Sequence, residues 1–124
     1  PFMRELWGRY WIFAHNGNLL DFNPALDGSF LPVGLTDSER AFCWMLQELR
    51  QRFGSKAPER SELFVTLQAL TLEVARHGEF NFLLSQGDCR HRRLPRCPAP
   101  KRNADYLPER LRNSSSALVI SLSR

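Results

Sequence analysis

The chain has 124 residues, 43% of them apolar and 24% charged, with a net charge of +4. That length suits one compact domain, and the composition excludes a fibrous or wholly disordered polypeptide. No stretch approaches the roughly 18 apolar residues that would span a bilayer, and residues 1–5 lack the basic-then-apolar pattern of a secretory signal.

The charge is unevenly placed. Residues 1–88 hold eight basic and eleven acidic residues, net −3, whereas residues 89–124 hold nine basic and two acidic residues, net +7. The sequence therefore divides near residue 88 into a mildly acidic globular part and a basic tail rich in Arg, Pro and Ser, expected to be irregular. Cys43, Cys89 and Cys97 are odd in number and irregular in spacing. They build no disulfide framework and point to a reducing, cytoplasmic compartment.

In chain order, residues 9–14 are aromatic and β-branched around Tyr10, Trp11, Ile12 and Phe13, too short for a helix, and predict a buried strand. The strand runs into Asn16 and Gly17, a pair with strong tight-turn character. Residues 20–35 contain Pro24, Gly28, Pro32 and Gly34 and read as a long irregular connection, a length often reserved for function. Thr36 then opens the clearest helix, with Glu39 three residues later in a capping-box spacing. Phe42, Met45, Leu46, Leu49 and Phe53 recur on one helical face, and Gly54 supplies the stop. A second helix follows Pro58, with Leu63, Leu67, Leu70 and Val74 as its stripe and Gly78 as its end. Residues 80–85, from Phe80 to Ser85, predict a strand closed by Gln86, Gly87 and Asp88. This order gives an α+β domain with two antiparallel helices on one face of a sheet. Beyond Asp88, Pro95, Pro98 and Pro100 interrupt any regular element, and only residues 117–122 regain strand-like composition.

The chemistry-bearing residues each have an ordinary structural role open to them. Asn16 and Gly17 suit a hairpin turn. Asp37 suits the positive end of a helix dipole. His15 suits a packed ring. Cys43 lies inside the first helix with no flanking cation and reads as structural. Cys89, His91 and Cys97 are spaced unlike the paired zinc motifs, so neither metal nor cofactor is expected. The basic tail could supply counterion-release affinity for nucleic acid, but Tyr106 is its single aromatic residue, too few for a stacking platform.

Two motifs nevertheless stand in order: Ala14, His15, Asn16, Gly17, Asn18, Leu19 in one, and Thr36, Asp37, Ser38, Glu39 with Arg40 to Trp44 in the other. Together with Phe80, Asn81, Phe82, Leu83, Leu84 and Ser85 they resemble the class II glutamine amidotransferases, over about residues 1–88 and closest to small stand-alone members. The resemblance implies an N-terminal-nucleophile hydrolase, a four-layer αββα sandwich present here in part, truncated at the N-terminus and lacking the later strands. It implies that the Asn16 side-chain amide and the Gly17 N–H form the oxyanion hole, and that Asp37 receives the α-amino group of glutamine. Such donors answer the charge that develops on a tetrahedral intermediate.

The family's nucleophile is an N-terminal cysteine, accompanied by an Arg and a His just before the segment matching Pro1 and Phe2. The chain starts at Pro1 and presents none of the three. The intact protein is therefore expected to open glutamine or a γ-glutamyl amide through a thioester. These 124 residues alone are expected to be inactive. The loss of resemblance near Asp88, with the switch to Arg, Pro and Ser, is what a shifted reading frame produces. The expected partner is glutamine or a γ-glutamyl small molecule, with no membrane. A non-catalytic protein whose tail binds nucleic acid is the alternative.

Overall fold

A computed structural model describes residues 1–88, together with the strand at 116–122. The strands and α-helices follow in order as β1 (Phe2–Leu6), β2 (Arg9–Asn16), α1 (Asp37–Phe53), α2 (Arg60–Val74), β3 (Phe80–Asp88) and β4 (Ser116–Leu122), with a single 3-10 turn, Ala75–His77, after α2. The strands make one antiparallel sheet in the order β1-β2-β3-β4. β1 was not legible in the sequence, and β3 runs through Gln86 and Gly87, which were read as its turn. Within the tail expected to be irregular, Ser116–Leu122 pairs with β3, matching the strand-like composition of 117–122. Residues 89–115 lie outside the described residues, so the reading of Cys89, His91, Cys97 and Tyr106 is not addressed by the fold.

The alternation of β2 and β3 sorts the sheet into two faces. Trp11, Phe13, Phe80, Phe82 and Leu84 are buried beneath the helices, while Tyr10, Ile12 and Leu83 face outward and are about half exposed. The Phe13 ring stacks on Phe42 of α1 at 5.0 Å and meets Phe82 at 5.4 Å, so the sheet and the first helix share one aromatic core. Of the stripe read on α1, Phe42, Met45, Leu46 and Leu49 are buried and Phe53 packs at the edge; all four stripe residues of α2 are buried.

The tight turn lies at Trp7 and Gly8, not at Asn16 and Gly17. Trp7 (φ 57°) and Gly8 (φ 71°) both take positive φ, the geometry of a two-residue hairpin between β1 and β2. A tryptophan rarely occupies that region. Here its indole N–H donates to the Gly54 carbonyl at 2.9 Å, and its ring meets Trp11 and Phe53 edge-on at 6.1 and 6.2 Å. The turn is thereby anchored to the end of α1.

Thr36 caps α1 by accepting from the Glu39 N–H at 3.3 Å. The reciprocal half of the capping box is not made. The Glu39 carboxylate turns instead to the preceding loop, accepting from the Val33 N–H at 3.1 Å, the Gly34 N–H at 2.8 Å and the Arg4 guanidinium at 2.6 Å. Arg4 stands on the inner face of β1, beside Trp11 in register, and also donates to the Leu31 carbonyl at 3.2 Å. A buried carboxylate thus has a better use than closing a box with solvent-accessible backbone.

The connection before α1 carries no helix or named strand, as expected, yet it is tied down at several points. Phe22 is buried edge-on to Trp44 at 5.6 Å. Gln47, buried on α1, accepts from the Asp27 N–H at 2.7 Å and donates to the Ala25 carbonyl at 3.2 Å. Among the described residues, no helix is long and apolar enough to cross a membrane.

Candidate active site

The predicted site residues gather at the end of the sheet where β2 stops and α1 begins. Gly17 ends the strand with φ 150°, and a Cβ there would lie 2.1 Å from the Glu79 carbonyl oxygen, so only glycine lets the two chains pass. Gly78 does the same from the other side, where a Cβ would come 2.1 Å from the Asn18 carbonyl. Leu19 then bridges Gly78, and the Leu20 N–H donates to the His77 carbonyl at 2.7 Å. The asparagine–glycine pair is therefore a close crossing of two backbones instead of a hairpin.

Asp37 joins this crossing to the helix. Its Oδ2 accepts from the Leu19 N–H at 2.8 Å and its Oδ1 from the Ser38 N–H at 2.7 Å. Burial works to raise the carboxyl pKa. The Leu19 and Ser38 N–H groups, the nearby His15 and the Ser38 hydroxyl outweigh it, and the carboxyl sits below its ordinary value. An ionised carboxylate at a helix start is also favoured by the dipole. Each carboxylate oxygen accepts one backbone N–H and has a second lone pair; on Oδ1 the Ser38 hydroxyl, 3.3 Å away, stands within reach of it.

His15 belongs to the same cluster. Its Nδ1 lies 2.7 Å from Ser38 Oγ and its Nε2 3.2 Å from the Glu79 carbonyl, while Phe13 and Phe80 flank the ring. It is a satisfied, half-buried histidine, in keeping with the packed role read for it. Asn16 ends β2 in the outward register of Ile12, and its side chain is exposed. The backbone of the 16–19 stretch and Asp37 are thus brought together, with the exposed Asn16 side chain at the end of the strand beside them. Cys43 is fully buried, and burial pushes its thiol up, opposite to what a nucleophile needs.

Ser38, Gly78 and the Glu79 carbonyl complete the cluster and were not singled out from the sequence. Ser38 lies in the motif that opens α1, where its sequence context assigns it no role. Gly78 was read as a helix end alone. A groove of about 460 Å³ lies at the far end of the sheet, lined by Trp7, Gly8, Phe30, Arg50 and Gly54 among others, and none of Asn16, Gly17 or Asp37 borders it.

The fold is thus α+β, with a glycine crossing joined to a helix-start carboxylate. The family model for class II glutamine amidotransferases matches residues 1–97. The chain belongs to that family. The match runs nine residues past the span expected from the motifs. Among curated relatives, the chain is 48% identical over 88 residues to "Putative glutamine amidotransferase" of Haemophilus influenzae, covering 71% of this chain and 30% of that protein. It is 47% identical over 87 residues to "Putative glutamine amidotransferase YafJ" of Escherichia coli, covering 70% and 34%. A crystal structure of "predicted glutamine amidotransferase from Pseudomonas aeruginosa PA01" is similar with a TM-score of 0.63 and 42% identity, over 71% of this chain and 36% of that one. The chain spans about a third of the length of these relatives.

Proposed function

We propose that residues 1–88 supply the oxyanion-binding and amine-binding part of a glutaminase site, acting on glutamine or a γ-glutamyl amide. Asn16 and Gly17 hold the developing oxyanion through the side-chain amide and the backbone N–H, and Asp37 holds the α-ammonium group. The observation that carries this reading is the Leu19 N–H to Asp37 bond at 2.8 Å, which fastens two motifs 18 residues apart at one end of the sheet. An ionised carboxylate with lone pairs to spare is what an ammonium group requires.

The thiol that attacks the amide comes from outside these residues in this reading, since Cys43 is buried and unactivated. The reaction it would run is acyl transfer to sulfur. The thiol passes its proton on, its sulfur adds to the amide carbon, and the oxyanion is held. The amide nitrogen takes that proton and leaves as ammonia when the C–N bond breaks, and water later splits the thioester into glutamate and the free thiol. A four-layer αββα arrangement is supported by the outward sheet face, where Met3, Ile12 and Leu83 are about half exposed and suit burial by a second sheet.

Titration of the 124-residue chain with L-glutamine by calorimetry tests the reading. Binding is expected, weakened about tenfold or more in Asp37→Asn, the loss of one charge-assisted contact. Equal affinity of the two chains would defeat the role of Asp37. Ammonia release from glutamine by this polypeptide is expected to be undetectable, and measurable turnover would overturn the placement of the nucleophile elsewhere.

A further inference from the structure

The Ser38 hydroxyl has one proton and two acceptors within reach, His15 Nδ1 at 2.7 Å and Asp37 Oδ1 at 3.3 Å. Which acceptor receives it follows from the other side of the imidazole. The Glu79 carbonyl, 3.2 Å from Nε2, can only accept, so that nitrogen must carry the ring proton. In the neutral ring Nδ1 is then an acceptor, and the hydroxyl proton points to it.

We propose that His15 is a positioning residue that draws the Ser38 hydroxyl away from Asp37 and so keeps Oδ1 open to a cationic amine. The Ser38 N–H already fills one lone pair of Oδ1 at 2.7 Å. A hydroxyl donated to the same oxygen would fill the other, leaving that oxygen nothing to offer an ammonium group. The imidazole removes this competitor without touching the ligand. The Glu79 carbonyl is fixed by the same crossing that requires Gly17, and the Phe13 and Phe80 rings hold the imidazole plane. The chain of bonds from Glu79 through His15 to Ser38 therefore sets a proton's direction from a rigid backbone. The amine part rests on the reading of Asp37 given under Proposed function; the ring tautomer does not.

Nitrogen-15 NMR of ring-labelled histidine tests the first link in the full 124-residue chain, with the His15 signals assigned by their loss in His15→Phe. In the neutral ring, Nε2 is expected to carry the proton and Nδ1 to be bare. A proton on Nδ1, or averaging of the two tautomers, would overturn the proposal. The second link is a cycle of glutamine affinities. His15→Phe frees the hydroxyl to bind Asp37, and affinity is expected to fall about fivefold, the worth of one ordinary hydrogen bond. In a Ser38→Ala background His15→Phe should cause no further loss of affinity, because the competing hydroxyl is gone. A further loss in that background as large as that of His15→Phe alone would assign the histidine a packing role only. Absence of glutamine binding by the parent chain would fell the site reading, and the tautomer would then decide this assignment alone.

Discussion

Replacing Glu39 by Gln keeps the shape of the side chain and removes its charge. The carboxylate, 5% exposed, holds three donors: Arg4, the Val33 N–H and the Gly34 N–H. Glutamine retains one acceptor oxygen and turns an amide NH2, a donor, toward the rest. The two backbone donors lie on an exposed strap, with Val33 92% exposed, so water replaces their partner at little cost. The Arg4 guanidinium is 22% exposed and loses its counter-charge at 2.6 Å. A hydrogen bond to a charged group contributes about 1.5–3 kcal/mol, and the partial exposure of Arg4 favours the lower half, so the expected loss is about 2 kcal/mol. That corresponds to a fall in Tm of roughly 10 °C for a domain of this size. Urea unfolding, followed through the fluorescence of Trp7, Trp11 and Trp44, measures it.

The pH dependence separates charge from packing. Burial acts to raise the Glu39 pKa, but the Val33 and Gly34 N–H groups and Arg4 outweigh it, and the carboxyl sits below its ordinary value. A depressed carboxyl contributes stability that is present above its unfolded pKa of about 4.3 and lost as pH falls through the folded value. The Gln variant should therefore be deficient at neutral pH and approach the parent in acid, below about pH 4. A deficit under about 0.5 kcal/mol, or one unchanged by acid, would show that the carboxylate does not clamp the loop.

Three further outcomes follow from the same contacts. Gly17→Ala and Gly78→Ala each drive a methyl group into a carbonyl 2.1 Å away, and each should cost more than about 2 kcal/mol and speed hydrogen exchange at Leu19 and Leu20. Thr36→Ala removes the hydroxyl that caps the Glu39 N–H and should cost about 1 kcal/mol in urea unfolding, with a loss under about 0.3 kcal/mol counting against the cap. Phe13→Ala empties a fully buried site shared by Phe42, Phe80 and Phe82 and should cost about 3–5 kcal/mol; a loss near 1 kcal/mol would mean the sheet and α1 do not share one core.

Both helices were legible because their apolar spacing and their stops, Gly54 and Gly78, are local signals. β1 was hidden because Arg4 sits among its inward residues, and an inward charge makes sense only once Glu39 faces it across 35 positions. For the same reason the capping-box spacing does not foretell where Glu39 turns: nothing in the sequence near it reveals that Val33, Gly34 and Arg4 compete for its carboxylate. At the candidate site, Asn16, Gly17 and Asp37 were legible as residues. The local pattern gave a hairpin at Asn16 and Gly17, whereas the constraint on Gly17 comes from Glu79, a backbone crossing set by tertiary structure. The part played by Ser38 needed the imidazole of His15 beside it, which only the junction of β2 and α1 provides.

Amide chemical-shift mapping of the labelled 124-residue chain during addition of L-glutamine asks whether the crossing and the helix start serve one ligand. Perturbations are expected at Gly17, Leu19 and Ser38 together, saturating with a single affinity. Shifts confined to the groove around Trp7 and Gly54, or none at any of these amides, would contradict it.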